Sequence, residues 1–170
     1  MQMQERLVEK QNVVFIGMPG SGKSTLGRLT ADRLGWEFYD TDPLIEQRTG
    51  RKVSEIFHTD GEEAFRCLET ETIRECCQRR QVVIATGGGA VTRPENMAML
   101  AATGRLIYLD RPLDVIAACN LHDRPLLAGD SRRLYVLFDQ RKPLYEQYAN
   151  CRIANVHPLD RVVDSILTAI

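Results

Sequence analysis

Short apolar runs alternate along this chain with longer stretches in which apolar residues recur at helical spacing. Short runs bounded by turn formers read as buried strands, and the longer periodic stretches as amphipathic helices. The pattern predicts strands at Val13 to Ile16, Glu37 to Tyr39, Val82 to Ala85, Leu106 to Leu109 and Arg152 to Ala154. It predicts helices at Thr25 to Leu34, Leu44 to Arg48, Glu62 to Arg79, Pro94 to Ala102 and Arg133 to Tyr148. A closing helix would carry Val162, Val163, Ile166, Leu167 and Ile170 on one side. Strands alternating with helices favour a parallel sheet covered on both faces, so the expected fold is α/β, three layers around a five-stranded parallel sheet. Gly50, Gly61, Gly104 and Gly129 punctuate the helical stretches as stops or turns. The least patterned segment, Cys119 to Arg132, is expected to be a mobile loop.

Composition mainly excludes. The 170 residues, 44% hydrophobic and 26% charged, suit a globular domain with its own core, and no repeat or linker divides them, so a single domain over residues 1–170 is expected. A formal net charge of -1 lacks the basic excess of a nucleic-acid binder, and no apolar run approaches the roughly 20 residues of a membrane span. Cys67, Cys76, Cys77, Cys119 and Cys151 are odd in number and fit no metal-ligand spacing, so reduced thiols are expected. Met1 to Lys10 holds Glu5, Arg6, Glu9 and Lys10 where a signal peptide would be apolar. The expectation from composition is a cytoplasmic protein with no nucleic-acid or membrane partner.

The chemistry enters at Gly17-Met18-Pro19-Gly20-Ser21-Gly22-Lys23-Ser24, which fits G-x-x-x-x-G-K-[ST] between a predicted strand and a predicted helix. Glycines let the backbone curl so that successive N–H groups face phosphate oxygens, and the positive end of the helix favours the anion. Lys23 would reach the β and γ phosphates of ATP, and the Ser24 hydroxyl would ligate Mg²⁺. The expected nucleotide site spans Gly17, Gly20, Ser21, Gly22, Lys23, Ser24 and Thr25. A dinucleotide site is the rival, because Asp40 lies about 20 residues on, where a ribose-binding acid would sit. Thr25 occupies the position of that fingerprint's third glycine and Lys23 has no work in it, so the rival fails.

Asp40-Thr41-Asp42 closes the second predicted strand, at the sheet edge where open α/β folds bind ligands. One acid there can hold the water shell of Mg²⁺ and the other can orient a substrate hydroxyl. A helix N-cap is the alternative for Asp42. Phe65-Arg66-x-x-Glu69 puts an arginine and an acid on one helical face, where the acid can hold the guanidinium fork. Gly87-Gly88-Gly89 follows the third strand, and either a close backbone approach to a ligand or a tight turn explains it. Arg124-Pro125-Leu126-Leu127 and Arg141-Lys142-Pro143-Leu144-Tyr145 complete the set.

In that order and spacing, these motifs resemble the shikimate kinase family, from the phosphate loop near Gly17 to the last helix. The resemblance implies transfer of a phosphoryl group from Mg-ATP to a hydroxyl of shikimate, on the route to aromatic amino acids. It also implies the nucleoside-monophosphate-kinase architecture, with a lid around residues 119–132 and an acceptor-binding region around residues 42–69. By resemblance, Lys23, Asp42 and Arg124 are the catalytic residues: Asp42 binds the acceptor hydroxyls and eases proton loss, and Arg124 swings in on the lid. Asp40 and Ser24 serve the metal. Arg66 and Arg141 grip the carboxylate with Glu69 orienting Arg66. Gly88 and Gly89 contact the acceptor, Phe57 and Phe65 line its apolar side, and Pro158 belongs to the adenine loop at Asn155 to Pro158.

The chain departs from the family near Ala117, Ala118 and Cys119, where the family carries an arginine over the adenine ring. Weaker discrimination between ATP and GTP follows, with Ala117→Arg expected to tighten ATP binding and His122 or Arg152 as substitute groups over the base. Two other readings of the chain are a P-loop kinase of gluconate or a nucleoside monophosphate, and a nucleotide-binding regulatory module without turnover. Paired Arg66 and Arg141 speak against the first, and retained Lys23, Asp40, Asp42 and Arg124 against the second. His58, His122 and His157 are read as surface positions, and Met97 and Met99 as packing residues.

Overall fold

The computed structural model describes residues 12–119 and 131–170. Its first strand, β1 (Asn12–Ile16), is buried along its whole length. Such a strand must be covered on both faces, and an apolar run without polar alternation meets that requirement. Beside it lie β3 (Val82–Ala85) and β4 (Gly104–Asp110), with β2 (Glu37–Asp40) and β5 (Cys151–Ala154) at the edges, in the order β2-β3-β1-β4-β5. Every pairing is parallel, with Val14 opposite Ile84 on one side and Leu106 on the other.

Alternate residues of β1 enter separate cores. Val13 and Phe15 pack with Leu26 and Ala31 of α1 (Lys23–Leu34) and Val162, Val163 and Ile166 of α8 (Leu159–Ala169). Val14 and Ile16 pack on the other face with Ile73 and Cys76 of α4 (Glu62–Cys77), Met97 and Leu100 of α5 (Pro94–Thr103), Ile116 of α6 (Leu113–Ala118) and Tyr145 of α7 (Ser131–Tyr148). A third cluster, Ile45, Val53, Ile56 and Phe65, joins α2 (Thr41–Thr49), α3 (Val53–Asp60) and the start of α4 into a small helical unit beside the sheet.

The five predicted strands and the three-layer arrangement are all present. Helices α3 and α6 were not foreseen, because eight and six residues show too little of a 3.6-residue period. Helix α4 ends at Cys77, short of Arg79. Gly104 stops α5 as its C-cap and also opens β4: a Cβ there would sit 2.9 Å from a Val14 methyl, so its bareness lets β4 close on β1. Helix α2 starts at Thr41, which places Asp42 in its first turn. The N-cap position belongs to Asp40, with no side-chain capping bond, so capping does not account for Asp42.

Candidate active site

The carboxyl ends of β1, β2, β3 and β4 open on one cavity of about 600 Å³. Three glycines of the phosphate loop take positive φ, at 149° for Gly17, 82° for Gly20 and 98° for Gly22, the last at the N-cap of α1. Gly17 has a second reason to be bare, because a Cβ would lie 2.6 Å from the Leu109 carbonyl oxygen. Ser21 is fully buried and its N–H donates to the Met18 carbonyl at 3.1 Å. The loop is also gripped from outside: Arg111 Nη1 donates to the Gly20 carbonyl and Asn155 Nδ2 to the Ser21 carbonyl, each at 2.9 Å. The Lys23 ammonium is turned back on the Gly17 and Met18 carbonyls at 2.8 and 2.7 Å. Gly20, Gly22, Lys23, Ser24 and Thr25 reach the cavity wall, whereas Gly17 and Ser21 support the loop from behind.

At the end of β2 the Ser24 hydroxyl donates to the Asp40 carboxylate. Burial pushes the Asp40 carboxyl above its usual range, opposed by this bond and by Lys23. Among the described residues no group of three or more His, Cys, Asp or Glu is placed to hold a metal. A hydroxyl and a carboxylate in contact beside a phosphate loop still fit Mg²⁺, which keeps most of its waters and takes one or two protein ligands plus phosphate oxygens.

Asp42 stands one helical step further in. Its Oδ1 is buried without a hydrogen-bond partner, and its carboxyl is pushed up to about 6, chiefly by burial and then by Glu69 and Asp40. Glu69 is fully buried and accepts from Arg66 Nη1 at 2.8 Å through Oε1, while its Oε2 has no partner. Burial raises the Glu69 carboxyl and Arg66 pulls it back down. Arg66 is itself 5% exposed, with its Nε unpartnered, and its guanidinium lies 5.3 Å from the Phe65 ring centroid and 6.0 Å from that of Phe57. Arg141, 4% exposed on α7, is the second buried arginine of the wall, and burial lowers its pKa.

The glycine triplet lies against Asp42, Glu69 and Arg66. A Cβ on Gly87 would fall 2.6 Å from Glu69 Oε2 and 3.0 Å from Asp42 Oδ1. One on Gly88 would fall 2.6 Å from the Pro19 ring, and one on Gly89 would enter the Arg66 guanidinium. Close approach, not turn geometry alone, therefore explains three successive glycines. The Gly87 N–H donates to the Thr41 hydroxyl at 3.1 Å and the Tyr145 hydroxyl donates to the Gly88 carbonyl at 2.6 Å. Sequence reasoning gave Thr41 and Tyr145 no role; each sat inside a recognised motif, which was the available signal.

Phe57, Phe65, Gly88 and Gly89 lie on the cavity wall, joined by Thr86, Arg111 and Cys119, which were not foreseen as site residues. Pro158 is exposed at the N-terminal end of α8 and is not part of this wall. Arg124 and His122 lie outside the described residues. Arg152 is committed to the Asp110 carboxylate. Of the residues near the absent family arginine, Ala117 packs against the core and Cys119 faces the cavity.

A family model described as shikimate kinase matches residues 19–170. The chain belongs to the shikimate kinase family. The curated shikimate kinase of Chromobacterium violaceum is 44% identical over 165 residues, covering 92% of this chain and 90% of that protein. That of Microcystis aeruginosa is 45% identical over 166 residues, covering 94% and 86%. Among solved structures, shikimate kinase from Acinetobacter baumannii in complex with shikimate superposes with a TM-score of 0.89 at 34% identity, over 96% of this chain and 94% of that one. Family membership implies ATP and a small-molecule substrate, and the cavity described above joins a phosphate loop to two buried arginines.

Proposed function

We propose that this cavity carries out the family's reaction, the ATP-dependent phosphorylation of a shikimate hydroxyl, with the nucleotide at the phosphate-loop end and the acceptor between α4 and α7. The observation that carries the reading is the continuity of one wall from Gly20, Lys23 and Ser24 through Asp42 to Arg66 and Arg141. Phosphoryl transfer asks the protein mainly for positioning and charge neutralisation. Arg66 and Arg141 meet the first need by gripping the acceptor carboxylate, since two buried guanidiniums favour a planar anion. Phe57 and Phe65 bound the ring's apolar side, and the backbone of Gly88 and Gly89 lies close against it.

Asp42 accepts the reacting hydroxyl through Oδ1, and with its carboxyl raised to about 6 it is mostly ionised at neutral pH and a better proton acceptor than an ordinary aspartate. As the hydroxyl oxygen bonds to the γ phosphorus, the bond to the β–γ bridging oxygen breaks, ADP leaves with that electron pair, and the hydroxyl proton passes to Asp42. Lys23 exchanges the Gly17 and Met18 carbonyls for phosphate oxygens. Ser24 and Asp40 would hold Mg²⁺, which would supply charge neutralisation on the phosphates. Arg124 adds a guanidinium from the lid and Pro158 a wall to the base, both on the strength of the family resemblance. A cytoplasmic monomer fits the same reading.

ADP release in the presence of Mg²⁺ tests it. Release should rise far above background with shikimate and little with gluconate or a nucleoside monophosphate. Faster turnover of either of those, or full activity with the metal chelated, would contradict the reading.

A further inference from the structure

Arg111 stands where β4 ends, immediately after Asp110. Its neighbour's carboxylate is already taken by Arg152, and among the described residues Arg111 itself forms no ion pair with an acid. Its hydrogen-bond partners there are the Gly20 carbonyl, at 2.9 Å from Nη1, and the Cys119 sulfur, at 3.9 Å from the same nitrogen. The side chain is half-buried, and it lines the cavity beside Gly20, Gly22 and Thr25. A guanidinium offers five donors in a rigid fork, so one N–H on a carbonyl leaves most of the fork for another acceptor. A cation with no acid partner among the described residues, held against a phosphate loop and facing a cavity, suits an anion there.

We propose that Arg111 binds the nucleotide, holding the Gly20 carbonyl with one N–H and an oxygen of the polyphosphate chain with others. This rests on the phosphate loop being the nucleotide site. The grip on Gly20 orients the fork before the nucleotide arrives, so little side-chain freedom is lost on binding. Because the contact is to phosphate, it is blind to the base.

Titration calorimetry with ADP and with GDP tests the proposal, using wild type, Arg111→Ala and Arg111→Gln, with shikimate binding as a measure of an intact acceptor end. Glutamine keeps an N–H donor for Gly20 but no charge, and carries the test if the alanine variant folds poorly. Dissociation constants for ADP and GDP should rise by the same factor, about 10-fold or more, in both variants. Their dependence on ionic strength should flatten as one charge contact is lost. Wild-type affinity in Arg111→Gln would reduce Arg111 to a brace for Gly20, and unequal losses for ADP and GDP would move its contact to the base; either overturns the proposal. Failure of the wild type to bind ADP would instead remove the nucleotide site itself.

Discussion

At the scale of single residues, Asp42 is a buried acid held against the interest of stability. Its carboxyl is harder to ionise in the folded chain than in the unfolded one. The folded state therefore binds more protons in the window between the two values, and stability falls as pH rises through it. The penalty is absent below about pH 4, complete above about pH 6, and amounts to up to about 3 kcal/mol. Asp42→Asn should raise the melting temperature by several degrees at pH 8 and leave it unchanged at pH 4, while lowering turnover on the order of 10³-fold. Equal melting temperatures at pH 8 would refute the burial argument. In the wild type, kcat/KM should fall as pH drops through about 6. Base selectivity belongs to this scale too. Cys119, not Ala117, faces the cavity, so Cys119→Arg is the substitution expected to raise the ATP to GTP ratio of kcat/KM several-fold from a low wild-type value. A high wild-type ratio, unmoved by the substitution, would show that another group covers the base.

At the scale of elements, the turn after β3 and the phosphate loop after β1 are pressed together, with Gly88 against the Pro19 ring. Proline cannot give way by changing rotamer, so a methyl group at Gly88 must move one backbone off the other. Gly88→Ala should cost about 1 to 3 kcal/mol in denaturant unfolding. It should also lower kcat by about 10²-fold, because a displacement near 1 Å between reacting groups has that effect. Normal kcat in a destabilised variant would mean that the two loops are not the donor and acceptor supports assigned to them.

At the scale of the whole molecule, the proposed acceptor end depends on α4 and α7, far apart in the chain, packing on one face of the sheet and bringing Arg66 and Arg141 to one wall. On the proposed reading either arginine would give the acceptor carboxylate a charge-assisted hydrogen bond worth about 1.5 to 3 kcal/mol. Arg66→Ala or Arg141→Ala should weaken shikimate binding roughly 10-fold to 150-fold by calorimetry while the fold survives. Unchanged affinity in both variants would reassign the carboxylate grip.

What this chain states locally, its sequence determined by itself. The parallel sheet follows from apolar runs spaced by helices, and the phosphate loop from glycines whose positive φ a short motif demands. Both are short-range constraints, and each predicted strand formed. Helices α3 and α6 escaped because their periodicity is too short to register and tertiary packing completes them. Only the tertiary structure decided why Gly87, Gly88 and Gly89 are bare, since Glu69, Asp42, Pro19 and Arg66 arrive there from three other segments. The same holds for the raised carboxyl of Asp42, which comes chiefly from burial and from Glu69, brought beside it by folding, with the sequence neighbour Asp40 adding to them. Arg111 makes the contrast plainest: in sequence it is one more arginine after a strand, and its meaning comes from the loop and the cavity that folding sets against it.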